Sequence, residues 1–187
     1  MNARRPLSER ATTYDATGAT ASDRSMPEVP GYRHYERTAC IGNGSACWDF
    51  ASDAVVRWGI KTRSGFTIDG DGDGHGHGDE AATVSPVAVD QRRWLVAHVG
   101  PFTIREPVRV VAVVDKPDRK GFAYGTLAGH PISGEEAFVV ERRRVGSVWL
   151  TIRSVSRPST LMWRALSPVL ALAQRVYRRR YFRALVR

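Results

Sequence analysis

The sequence predicts an α+β fold in which a strongly curved antiparallel β-sheet wraps around one long C-terminal helix. Three observations lead there. Residues 84–156 are β-patterned almost throughout, with connections of hairpin length. A segment with the helix period precedes them at 46–59, and a second, started by proline, follows at 159–186. A curved sheet closing on its terminal helix is the economical way to bury that set of elements.

The chain has 187 residues, of which 42% are hydrophobic, 9% aromatic and 25% charged. This is the composition of one globular domain, and it excludes collagen-like, disulfide-scaffold and wholly disordered classes. No apolar run approaches the roughly 20 residues of a membrane span, so no transmembrane segment is expected. The opening Met1-Asn-Ala-Arg-Arg-Pro is charged without an apolar core, and Cys40 and Cys47 suit a reducing compartment, so a cytoplasmic location is expected. The domain is expected over 27–187, preceded by an arm at 1–26 that is poor in large apolar residues and partly disordered, with Leu7 and Tyr14 as its anchors.

In chain order, residues 33–41 alternate loosely as a first strand, and Ile41-Gly-Asn-Gly-Ser45 turns into a helix with Ser45 at its N-cap. Cys47, Phe50, Ala51, Ala54, Val55 and Trp58 then recur at spacings of three and four, until Gly59 stops them. Residues 69–80 form an inserted Asp/Gly/His-rich loop. Strands are expected at 84–89, 93–100, 103–115, 122–127, 136–143 and 147–156. Ser159 and Ser167 can cap two final helical stretches. There Met162, Leu166, Val169, Ala173, Val176, Tyr177, Tyr181 and Leu185 compose the apolar stripe, with Arg175, Arg179, Arg183 and Arg187 on another face.

Gly121-Phe-Ala-Tyr-Gly-Thr-Leu-Ala-Gly-His-Pro-Ile-Ser-Gly-Glu-Glu-Ala-Phe138, with Ser156-Arg-Pro158, Pro168 and Gln174 to Tyr181, resembles the signature of the bacterial and plant domain-of-unknown-function 1990 family. Thr13-Tyr14, Gly18-Ala-Thr20, Pro30-Gly31-Tyr32, Ile41-Gly-Asn-Gly44 and Trp58 extend the resemblance over most of the chain, and the 69–80 loop departs from it. The element order is also similar to the START-like, helix-grip (SRPBCC) superfamily. That similarity implies a space between sheet and terminal helix for a small apolar or amphipathic ligand.

Trp149, Trp163, Phe138 and Tyr124 are the aromatic candidates for lining such a space, against the commoner fate of filling a core. His98, Tyr124, Glu136 and Arg153 are candidate polar groups, because each interrupts an apolar strand; a one-residue slip in register would invert each choice. His130 and Glu136 could instead do acid–base chemistry with Arg153 holding an anion, although His130 also suits a plain turn and Glu136 a plain ion pair.

Asp69, Asp71, Asp73, Gly74 and Glu80 match the spacing of a calcium-binding loop. Gly76 stands where an aliphatic belongs, alternate glycines raise the cost of ordering, and no helix pattern follows, so a solvated loop is the favoured reading. His75 and His77 suit zinc or nickel only weakly. The Gly42-Asn-Gly44 turn lacks nucleotide-loop spacing, the two cysteines form no zinc or redox motif, and no cofactor is implied.

The net charge of +9 is unevenly placed. Residues 142–187 hold twelve arginines and no carboxylate, whereas 1–141 hold sixteen basic and nineteen acidic residues. The terminal arginines could meet nucleic acid or an anionic membrane. Dipole complementation and solubility explain them as well, no base-reading motif accompanies them, and no specific nucleic-acid partner is expected.

Overall fold

A computed structural model describes residues 5–22, 25–70, 85–99 and 102–186. The strands are β1 (Arg33–Asn43), β2 (Phe66–Asp69), β3 (Arg92–Val99), β4 (Phe102–Lys116), β5 (Arg119–Thr126), β6 (Ile132–Arg142) and β7 (Ser147–Pro158). The helices are α1 (Ser45–Val56), α2 (Gly59–Thr62), α3 (Leu161–Ala165) and α4 (Ser167–Ala184). One sheet runs in the order β1-β7-β6-β5-β4-β3-β2, all neighbours antiparallel. The first strand pairs with the last, Arg33 opposite Ser156, so α1 and α2 cross from one sheet edge to the other over the concave face. Bulges between Cys40 and Gly42 and between Val110 and Ala112 bend the strands that carry them.

Period-two alternation sorts the side chains. Val148, Leu150 and Ile152 of β7 and Phe138 and Val140 of β6 enter the concave core, where they meet Trp48, Ala51, Val55 and Trp58. Each large side chain buried there contributes about 1.5–3 kcal/mol. Trp58 and Phe122 pack edge to face with centroids 4.6 Å apart.

The convex face is covered in part by the N-terminal arm. Residues 5–22 are laid along the sheet: Leu7 and Tyr14 are buried, Thr12 bridges Leu127, and Arg92 Nη1 donates to the carbonyls of Leu7 and Arg10. Tyr14 reaches its place because residue 125 is glycine; a Cβ there would lie 2.2 Å from the Tyr14 hydroxyl.

Several local expectations change. Residues 85–89 are not a strand; Pro86 has no N–H to give a ladder, and Val87 donates instead to the Val56 carbonyl. The outer partner of β3 is instead the short β2, from Phe66. Ser45 is the first residue of α1 rather than its cap, and Thr160, not Ser159, caps α3, its Oγ1 accepting from Trp163 N. Trp58 in the left-handed region, φ 61°, ends the first helical segment, and Gly59 starts α2.

The apolar stripe of the terminal helices is also placed differently. Met162, Leu166, Val169 and Val176 are exposed, and the inward face carries Trp163, Leu170, Ala173, Tyr177 and Tyr181. Met162 lies on α3 and Leu166 at the break that separates α3 from α4, so their phase is not that of α4, and within α4 the inward face centres on Leu170 and Tyr177, about 100° around the helix from Val169 and Val176. No helix among the described residues is long and apolar enough to cross a membrane.

Candidate functional site

Beneath α4 the concave face leaves a cavity of about 140 Å³. Its apolar wall comes from Phe66 of β2, Ala97 of β3, Ile104 of β4, Trp163 of α3, and Leu170, Ala173 and Tyr177 of α4. Its polar groups come from Lys61 on α2, Glu106 on β4, the β5–β6 hairpin with its two strands, Ser154 and Ser156 of β7, and Gln174, Arg178 and Tyr181 of α4.

The left-handed turn at Trp58 sends α2 across the sheet, so that Lys61 points inward with its side chain only 3% exposed. Its Nζ lies 3.0 Å from Glu136 Oε2 and donates to the Tyr181 hydroxyl at 2.6 Å. The register that sets Tyr124 opposite Glu136 lets the Tyr124 hydroxyl donate to the same carboxylate at 2.5 Å. The ammonium also sits 4.5–5.3 Å from the ring centroids of Tyr181, Phe66, Tyr124 and Phe138, whose faces attract a cation. Burial, then the Glu136 charge, pushes both tyrosine hydroxyls well above their ordinary range, so they remain protonated donors. Lys61 and Glu136 are thereby partnered within the protein.

Glu106 is not. Its side chain is 21% exposed and lines the cavity, it makes no hydrogen bond to any described residue, and His130 Nε2 lies 3.7 Å from its Oε2, beyond hydrogen-bond reach. Burial raises the Glu106 carboxyl to about 7, Lys61 opposing and Glu136 adding to the rise. His130 is buried in the Gly129–Pro131 turn, and burial together with Lys61 lowers it to about 3. Its Nδ1 accepts from Ile132 N at 2.9 Å, which leaves Nε2 to carry the proton of the neutral ring, directed toward Glu106. A carboxyl that changes charge near neutrality therefore faces a neutral imidazole across a small apolar space.

The convex side has a separate carboxylate. Glu135 accepts from the Tyr14 hydroxyl at 2.7 Å, from the backbone N–H groups of Gly18 and Thr20 at 2.7 and 2.8 Å, and from the Thr20 hydroxyl. Those donors all belong to the arm, so Glu135 holds the arm to the sheet. Gly134 permits the local geometry, because a Cβ there would sit 1.9 Å from the Val155 carbonyl oxygen.

Of the residues singled out from sequence, His130, Glu136, Tyr124 and Trp163 line the cavity. Phe138 is fully buried in the core beside them. Arg153 and Trp149 occupy the alternate positions of β7 to Leu150 and Ile152 and so face away: Arg153 meets the Ser22 carbonyl and Glu36, while Trp149 donates to Ser147 Oγ. His98 is exposed, on the face of β3 opposite to Leu95 and Ala97, with Nδ1 3.2 Å from Thr103 Oγ1. The grouping of His130 and Glu136 with Arg153 is therefore not formed. Asp69 ends β2 exposed, 3.6 Å from Arg105, whereas Asp71, Asp73 and Glu80 lie outside the described residues. Among the described residues, no group of three or more His, Cys, Asp or Glu could hold a metal ion.

Lys61, Glu106 and Tyr181 were absent from the site expected from sequence. Two signals were available. Lys61 is one of only three lysines in a chain with 28 basic residues, and Glu106 interrupts the alternating apolar series Ile104, Val108, Val110.

A curved antiparallel sheet gripping one terminal helix over an apolar cavity places the protein in the helix-grip class of α+β folds. The chain belongs to the domain of unknown function DUF1990 family, which it matches over residues 13–184. It is 34% identical over 186 residues to a UPF0548 protein of Deinococcus radiodurans, covering 96% of this chain and 88% of that one. A UPF0548 protein of Arabidopsis thaliana is 34% identical over 79 residues, covering 39% and 38% of the two chains. Among solved structures, a hypothetical protein of Helicobacter pylori superimposes with a TM-score of 0.51 at 16% identity, covering 84% of this chain and 89% of that one.

Proposed function

We propose that the protein binds one small amphipathic molecule in the cavity between sheet and α4, its apolar part against Phe66, Ile104 and Leu170 and its polar end at Glu106 and His130. The carrying observation is the Glu106 carboxyl, which lines the cavity and lacks a hydrogen bond to any described residue, whereas Lys61 and Glu136 beside it are paired with each other. A buried polar group without a partner costs about 1–3 kcal/mol, which a ligand hydroxyl or amine would recover. The volume suits a single ring or short chain, since a dry cavity of about 150 Å³ accommodates benzene. Native mass spectrometry of the purified protein, followed by calorimetric titration with short alcohols and amines, tests this. Retention of one small amphipathic molecule, weakened by Glu106→Leu, is expected; a protein that binds none of them counts against the reading.

The facing pair of Glu106 and His130 favours a second reading, proton transfer on the bound molecule, because a carboxyl near pH 7 can give and take a proton at neutrality. Turnover of a retained ligand that is lost in both Glu106→Gln and His130→Gln would support it; unchanged turnover in either variant would remove it.

A further inference from the structure

The outer face of α3 and α4 turns away from the cavity and carries Leu161, Met162, Leu166, Val169, Leu172 and Val176, between 41% and 79% exposed. Single exposed aliphatics are ordinary, but six within residues 161–176 form a ridge that asks for a partner. Within α4, Val169, Leu172 and Val176 recur at spacings of three and four and so share one face, about a quarter turn around the helix from the inward series Leu170, Ala173 and Tyr177.

Charge flanks this ridge. Arg33 and Arg37 of the edge strand β1, with Arg175, Arg178 and Arg179 of α4, line an open groove along the other flank of α4, Arg179 falling next to Leu172 on the helix surface, and no carboxylate residue is among the groove's described lining. The ridge and the α4 arginines fall within the segment that holds twelve arginines and no acidic residue, and Arg33 and Arg37 join them from β1. An apolar helix face bordered by cations is the pattern of a helix lying in a lipid interface.

We propose that the outer face of α3 and α4 docks on an anionic lipid bilayer, the aliphatic ridge entering the acyl boundary and the groove arginines meeting lipid phosphates. Nucleic acid fits the arginines but not the ridge, which offers aliphatic side chains where single strands need planar rings to stack on. A symmetric pairing of two copies would bring the same uncompensated arginines together. The inference goes beyond the cavity reading and stands without it. The two meet at Gln174 and Arg178, which line both the groove and the cavity, and at Trp163 and Leu170, which line the cavity from the same helices.

The test is flotation of the full chain with vesicles of phosphatidylcholine alone and of phosphatidylcholine with about one third phosphatidylglycerol, at low and high salt. Binding is expected only to the anionic vesicles, weakened at least about ten-fold by high salt, by L161S/M162S/L172S and by R175Q/R179Q. Circular dichroism establishes that these surface variants fold. The cavity-filling Ala173→Phe should leave vesicle binding unchanged while removing small-molecule binding, which separates failure of one reading from failure of the other. Four results would overturn the proposal: no binding to anionic vesicles, full binding by the serine variant, tighter binding to DNA or RNA than to vesicles, or a wild-type dimer that the serine variant dissolves.

Discussion

Oε2 of Glu106 lies 3.7 Å from Nε2 of His130, and the two groups are displaced in opposite directions from their ordinary titration ranges. Folded Glu106 holds its proton to about 7 instead of 4.5, so its stabilising contribution is complete below 4.5 and is lost as pH rises through 7. His130 runs the other way: its contribution is complete above 6.5 and is lost as pH falls toward about 3. Glu106→Gln is therefore expected to be more stable than the wild type above neutral pH, by on the order of 1–3 kcal/mol, and to match it in acid. Urea midpoints measured across the pH range check this, and a destabilised Gln variant in alkali would contradict it.

The Lys61–Glu136 pair predicts strong coupling. Lys61→Met leaves a buried carboxylate held only by Tyr124 and should cost about 3–5 kcal/mol. In K61M/E136L both charges are gone, and most of the loss should return. A double-mutant cycle by chemical denaturation measures the interaction; simple additivity of the two single substitutions would show that the pair is not coupled.

Tyr14→Phe removes one donor from the Glu135 carboxylate while keeping the ring and should cost about 1–3 kcal/mol. Because the remaining donors also lie on the arm, hydrogen exchange should accelerate at Gly18 and Thr20 well before the central strands are affected. Uniform acceleration across the sheet would mean that the arm is not a separate unit.

Filling the cavity distinguishes empty space from core. Ala173→Phe places a ring where α4 faces the void and should hold the melting temperature within a few degrees while abolishing binding of short amphipathic probes. A large loss of stability would show that the space cannot receive a side chain of that size.

Much of the architecture was legible because local periodicity reports local structure: β1 and β3–β7 all fall where alternation and turn residues place strands, although β5 begins at Arg119 rather than 122 and β6 at Ile132 rather than 136. Only part of the site was legible. Glu136 and Tyr124 interrupt apolar strands on the inward face, and so did Arg153 by the same criterion, but β7 is registered so that Arg153 faces the arm. Nothing within β7 distinguishes the two outcomes, since a strand has two faces and only its neighbours select one.

The sequence by itself determined the α+β order of elements, the family, and the concentration of arginine in the final segment, since these depend on residue type and on spacings of a few residues. The tertiary structure decided which side of each element is inside. Adjacent Glu135 and Glu136 serve opposite faces of the sheet, one fastening the arm and the other pairing with Lys61. Lys61 and Glu106 are brought to one cavity by a left-handed turn at Trp58 and by the closing of α4 over the sheet. The seating of α4 on Leu170 and Tyr177, with the break at Leu166 before it, turns part of an expected core stripe out to solvent. Each outcome depends on contacts between residues far apart in the chain, which periodicity cannot report.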